Sequence, residues 1–197
     1  SAAAFSLTVK TDTYQNGNIS IQYPVISDTS IKEGINNHLK ENALSLLKAW
    51  EIDEAKDTLS ITCKVLSATK SRITVRYDGL YIPDGSAHPT TVFYTNTVSM
   101  SSGTDIGLSH LADPATLAAY VLSGDCTFPE ADAETAAAAK TFLKEEELSY
   151  YTALFQNADF SSKETFPVCF SYEYEGSIYF SIPVPHVLGD YILAVYT

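Results

Sequence analysis

The side chains that could do chemistry in this chain are few and scattered. Its four histidines, His38, His88, His110 and His186, form no i, i+4 pair and no His-x-His pair, so the local spacing of a zinc site is missing. Cys63, Cys126 and Cys169 lack Cys-x-x-Cys spacing and allow at most one bridge. Cys63 falls on the apolar side of a strand pattern and is expected as a buried thiol. Ser67-Ala68-Thr69-Lys70 spells the Ser-x-x-Lys of penicillin-interacting enzymes. Its Ser-Asp-Asn and Lys-Thr-Gly partners are absent, and the four residues fall at an expected turn. Asp125, Glu130, Asp132 and Glu134 lack the glycine hinge of a calcium loop, and carboxylates at a helix start explain most of them. Glu145-Glu146-Glu147 reads as a solvated face. Nucleophile-elbow, phosphate-loop, dinucleotide and His-Glu-x-x-His motifs are all absent. A non-catalytic chain without metal or cofactor is expected.

One segment resists a bland reading. Tyr81-Ile82-Pro83-Asp84-Gly85-Ser86-Ala87-His88-Pro89 joins two strand patterns through a loop rich in turn formers. As a structural loop, it would have Asp84 accepting from the backbone and His88 bonding locally. As a recognition loop, its prolines would present Tyr81, Asp84 and His88 at low entropic cost. Charge bears on the partner. Residues 1–100 hold 9 basic and 10 acidic side chains, whereas residues 101–197 hold 3 basic (Lys140, Lys144, Lys163) and 14 acidic ones. The C-terminal half therefore repels nucleic acid and anionic lipid and attracts cations.

These residues need elements to position them. Ile19, Ile21 and Tyr23, then Leu59, Ile61, Cys63 and Val65, then Ile73, Val75 and Tyr77, alternate with polar neighbours. Further strands are expected at 5–14, 90–100, 166–175, 177–183 and 190–196. In the segment 166–175, Val168, Phe170, Tyr172 and Tyr174 should share a face opposite Cys169, Ser171, Glu173 and Glu175. Such alternation points to a mainly antiparallel sheet with one buried face. Hairpin turns are expected at 68–71, 101–104 and 175–177.

Two long helices interrupt the strands. The first starts at Thr29 or Ser30 and carries Ile31, Ile35, Leu39, Ala43, Leu46, Leu47 and Trp50 as one apolar stripe. The second is capped by Asp132 and runs to about Gln156, burying Phe142, Leu143, Leu148, Tyr151 and Phe155. A shorter helix is expected at 114–122. The fold class is α+β: an antiparallel sheet with helices packed on it, in two subdomains (1–100 and 101–197) that share a sheet and form one compact unit. With no initiator methionine before Ser1-Ala2-Ala3-Ala4, a processed chain is expected. No apolar run approaches a membrane span, so a water-soluble chain is expected, held at a membrane only through a segment outside it.

Asn18-Ile19-Ser20-Ile21-Gln22-Tyr23-Pro24, with Ile35-Asn36 in the following helix, resembles the start of the domain found N-terminally in PdaC-type peptidoglycan deacetylases. Gly85-Ser86-Ala87-His88 resembles that family's Gly-Gly-Ala-His loop. Tyr94-Thr95-Asn96-Thr97-Val98-Ser99-Met100-Ser101-Ser102-Gly103-Thr104, with Leu108-Ser109-His110-Leu111, resembles the opening of its companion, the lysozyme-sensing ectodomain of RsiV-type anti-sigma factors. Glu175-Gly176-Ser177-Ile178-Tyr179-Phe180 and Pro185-His186-Val187-Leu188-Gly189 are similar to that domain's last strand and turn. The resemblance spans roughly residues 5–197. It departs at His186, where the family usually has Tyr, at Asn96 or Val98, which replaces the strand acid, and in a shorter loop between Phe180 and Pro185.

The resemblance implies an extracytoplasmic sensor domain in the bacterial envelope, with lysozyme or another basic protein as ligand. The contact candidates are Tyr81, Pro83, Asp84 and His88 in one loop and Pro183, Pro185, His186 and Tyr191 in another. Two alternatives stand beside it. A peptidoglycan-binding or glycan-modifying domain would use Asp84 and His88 as an acid/base pair, and a structural domain of the envelope would have no soluble ligand.

Overall fold

Period-two alternation builds the larger of two sheets. The computed structural model describes residues 6–28, 33–162 and 166–197. Strands β1 (Val9–Asn16), β2 (Ile19–Ile26), β3 (Thr58–Ala68), β4 (Arg72–Ile82) and β5 (Thr90–Ser99) lie side by side in chain order. Neighbours are antiparallel except β2 and β3, which run parallel. A parallel pair requires a crossover, and helices α1 (Glu33–Leu44) and α2 (Leu46–Ala49) form it.

Register puts Ile19, Ile21, Leu59, Ile61, Val75, Tyr77 and Tyr94 on one face, all of them buried. Helix α1 buries Ile35, Leu39 and Ala43. Tyr94 stacks on Tyr77 at 4.4 Å and donates its hydroxyl to the Ala43 carbonyl at 2.7 Å, which fastens the helix to that face. Gly79, on β4 opposite Ile61, admits no side chain, because a Cβ there would collide with the Ser60 carbonyl and the Ile61 side chain.

The chain divides into two compact units, Ser1–Ile106 and Gly107–Thr197. The second unit opens with helices α3 (Leu108–Leu111), α4 (Pro114–Leu122), α5 (Ala133–Leu143) and α6 (Leu148–Gln156). Strands β6 (Ser171–Tyr174), β7 (Ser177–Pro183) and β8 (Tyr191–Tyr196) follow. These strands form a separate antiparallel sheet. Leu117, Val121, Leu143, Tyr151, Phe155, Phe180, Ile182 and Ile192 make its core, with Phe155 edge-on to Phe180 at 5.0 Å. Asp113 caps α4 by accepting from Thr116 N–H, and Asp132 caps α5 by accepting from Thr135 N–H, so helix starts stand where short acids precede apolar runs.

The α+β class is observed, with differences of detail. The expected helix start at Thr29 or Ser30, Ile31 of its stripe, the strand start at Phe5, and Lys163 lie outside the described residues. Two separate sheets replace the shared one. Each long helix is broken. Ser45 donates both its N–H and its hydroxyl to the Asn42 carbonyl, at 3.2 and 2.7 Å, and that back-bonding divides α1 from α2. Helix α5 ends at Leu143 and α6 begins after Glu147, which is extended (φ −88°, ψ 166°). Three adjacent, exposed glutamates interrupt one apolar stripe, which runs from Ala139 and Leu143 on to Tyr151 and Phe155. Tyr151 then bridges the break by donating to the Leu143 carbonyl at 2.6 Å. The segment 166–175 is a strand only from Ser171. Val168 is 70% exposed and Tyr174 38%, while Cys169 and Ser171 are buried, because Asp159 binds the latter. Cys63, expected as a buried thiol, is only half-buried, midway along β3 opposite Tyr77.

Candidate functional site

In the first unit, the loop after β4 is organised by Asp57, a buried carboxylate. Its oxygens accept from Asp84 N–H at 2.7 Å, Asp53 N–H at 2.8 Å and the Tyr81 hydroxyl at 3.0 Å. The two backbone donors, Asp84 first, hold its pKa below the ordinary carboxylate range. Tyr81 is half-buried and tilted against Trp50 at 5.8 Å; burial and the Asp57 bond push its phenol up. Pro83, Asp84, Gly85 and Ser86 make a β-turn closed by Ser86 N–H to the Pro83 carbonyl at 3.0 Å. Gly85 has φ +79°, the left-handed geometry that the third turn position needs. Ser86 then donates its hydroxyl to the His88 carbonyl, and both Asp84 and His88 are exposed. The structure thus brings Tyr81 and Asp84 to one carboxylate, Asp84 through its backbone, and leaves the side chains of Asp84 and His88 on the surface.

A second polar group in this unit joins residues far apart in sequence. The turn at 101–104 returns the chain so that Asp105 meets α1. Asp105 Oδ1 accepts from Asn96 at 2.8 Å and Asn42 at 3.1 Å, and stands 2.9 Å from His38 Nε2. Asn96 also accepts from Asn42 at 3.0 Å.

In the second unit, Pro183 ends β7, Tyr191 opens β8, and the turn between them is closed by its own bonds. Val184 N–H donates to the Asp190 carbonyl at 3.1 Å, Leu188 N–H to the Pro185 carbonyl at 2.8 Å, and Gly189 N–H to the His186 carbonyl at 3.0 Å. Gly189 (φ +106°) and Asp190 (φ +73°) are both left-handed. The His186 Nδ1 atom lies 2.9 Å from Asp190 Oδ1. This locked turn presents Val187 at its tip, 89% exposed, beside the exposed His186. Pro183 and Tyr191 are register partners at its base and are half-buried.

Asp159 is the buried acid of this unit. It accepts from Leu108 N–H at 2.8 Å, from Ser171 N–H at 2.7 Å and from the Ser171 hydroxyl at 2.6 Å, so it starts α3 and aligns β6. Its own backbone is left-handed at φ +68°. The three thiols are free. Burial raises all of them, Cys63 to about 11 and Cys126 to about 12, and it holds Cys169 well above the ordinary thiol range. Among the described residues, no group of three or more His, Cys, Asp and Glu is arranged to hold a metal. No described helix is long and apolar enough to cross a membrane.

Sequence reasoning missed Asp57, the His38–Asp105 group, Asp159 and Val187. Asp57 carried a weak signal, an acid four residues after Asp53 just before a strand. The His38–Asp105 group and Asp159 depend on tertiary return of the chain, whereas Val187 stands in a turn closed by local bonds.

No family model matches this chain, and no curated protein does. Among solved structures, it is similar to a member of the DUF3298 family from Bacteroides fragilis. The TM-score is 0.51 at 12% identity, over 99% of this chain and 92% of that one. A DUF3298 family protein from Pseudomonas aeruginosa matches with a TM-score of 0.42 at 12% identity, over 60% of this chain and 68% of that one. The likeness is one of fold, and its neighbours belong to a family named as a domain of unknown function.

Proposed function

We propose that this chain is a non-catalytic, extracytoplasmic recognition domain for a cationic protein, with a lysozyme as the leading candidate. The locked turn at 184–190 carries the reading. It spends its backbone bonds and the His186–Asp190 pair on rigidity, and it leaves an aliphatic side chain and an imidazole in solvent. Pre-organised apolar tips of this kind bind with little loss of conformational entropy. Acidic surroundings add steering. The second unit holds 3 basic and 13 acidic side chains, which favours association with a basic partner. The resemblance to the RsiV-type ectodomain supplies the partner class and the address outside the cytoplasm.

The chemistry available favours binding over catalysis. The thiols sit far above neutral pH, where they are poor nucleophiles. The backbone amide of Asp84 and the hydroxyl of Tyr81 are committed to Asp57, so this part of the loop serves as scaffold. Immobilised wild-type chain and the variants Val187→Asp and His186→Ala, titrated with lysozyme by surface plasmon resonance, test the reading. Binding by wild type that both variants weaken about tenfold supports it. Undiminished binding by both variants, or none by wild type, overturns it.

A further inference from the structure

Helix α6 presents a second surface that the locked turn does not use. Tyr150, Ala153, Leu154 and Asn157 recur at i, i+3, i+4 and i+7, which places them on one face of the helix. That face is not packed away. Tyr150 is 46% exposed and Ala153 is exposed, and opposite them stands Val168, 70% exposed. Together with Phe166 and Pro167 they line a groove of about 370 Å³. That volume is near the lower end of ligand clefts, ~300–1,000 Å³, and suits one or two side chains. Its floor is firm. Phe166 packs against Phe160 at 5.7 Å and Phe170 at 5.2 Å, and Phe160 and Phe170 are 5.2 Å apart. A preformed apolar groove beside exposed apolar walls is the mark of an interaction surface.

Charge decides the occupant. Glu147, the N-cap of α6, stands one turn before Tyr150, and exposed Glu145 and Glu146 adjoin it. A second copy of this chain brings a net charge of −12 to the same place and is repelled. A basic segment is attracted there. We propose that the α6 groove docks an apolar side chain, aromatic or branched aliphatic, carried between lysines or arginines on a peptide segment of another protein. The apolar side chain fills the space between Leu154 and Val168, and the flanking cations reach the glutamates. This surface goes beyond the turn-centred reading above and stands whether or not the partner is a lysozyme.

The test uses the whole chain and three fluorescein-labelled short peptides, read by anisotropy. The first places tryptophan between lysines, the second replaces tryptophan by alanine, and the third replaces lysine by glutamate. Wild type should bind the first, and bind the other two about tenfold more weakly or worse. Ala153→Arg, which fills the groove from an exposed position, and the milder Val168→Ser should each weaken the first peptide while leaving the thermal melt unchanged. Val187→Asp should leave it bound, which separates failure of this inference from failure of the turn-centred reading. Equal binding of the alanine peptide means bare charge attraction and overturns the proposal. So does unchanged binding in both groove variants, absence of binding, or self-association in ultracentrifugation that Ala153→Arg abolishes.

Discussion

Asp57 shows what one carboxylate does when its partners are backbone amides. Its pKa in the folded chain lies below that of the unfolded chain, about 3.9. The bonds to Asp84, Asp53 and Tyr81 therefore stabilise the fold fully above that value, and the stabilisation is lost as pH falls through the folded pKa. Asp57→Asn should melt below wild type at neutral pH, and the gap should close on acidification below about pH 4. Melting curves across that range check it, and a gap that widens in acid contradicts the assignment. The thiols give a second prediction. With Cys126 at about 12 and Cys63 at about 11, the native chain should resist iodoacetamide at neutral pH and react only after unfolding. A thiol that alkylates rapidly in the native state contradicts the burial described for it.

At the level of elements, helix α1 is the piece that closes the apolar face of the larger sheet into a core. Leu39 is wholly inaccessible between Ile35 and Ala43, and its truncation should cost about 2–5 kcal/mol in denaturant unfolding. A cost below about 0.5 kcal/mol, typical of surface positions, would refute the packing. Elements like this were legible because their signal is local. The strand at 177–183 and the helix at 114–122 match the expected bounds, since period-two alternation, Asp113 as cap and Pro114 at the first helical position are all read within a few residues. Breaks were not legible. Ser45 acts through a side-chain bond to its own helix, and the glutamate run at 145–147 interrupts a stripe whose apolar residues continue on either side. The strand at 166–175 failed for a third reason. Asp159, twelve residues away, draws Ser171 inward and leaves Val168 in solvent.

At the scale of the whole chain, the candidate site was legible only in outline. The two proline-bounded loops stood out by composition, yet the roles within them come from distant residues: Asp57, 24 residues before Tyr81, turns that tyrosine into scaffold. In the other loop, both partners of the His186–Asp190 pair are local, and the turn's rigidity could have been read from Pro185 and Gly189. His38 and Asp105, 67 residues apart, gave no signal. Charge is the one molecular property that sequence states outright, and the central claim of a cationic protein partner depends on it. Calorimetric titration of the chain with lysozyme, at low salt and again at about 0.15 M, tests that claim most directly. Binding that persists at the higher salt, with a weaker apparent affinity, is the predicted result. Binding that vanishes there reduces the interaction to unspecific charge attraction, and heat absent at both salts contradicts the account.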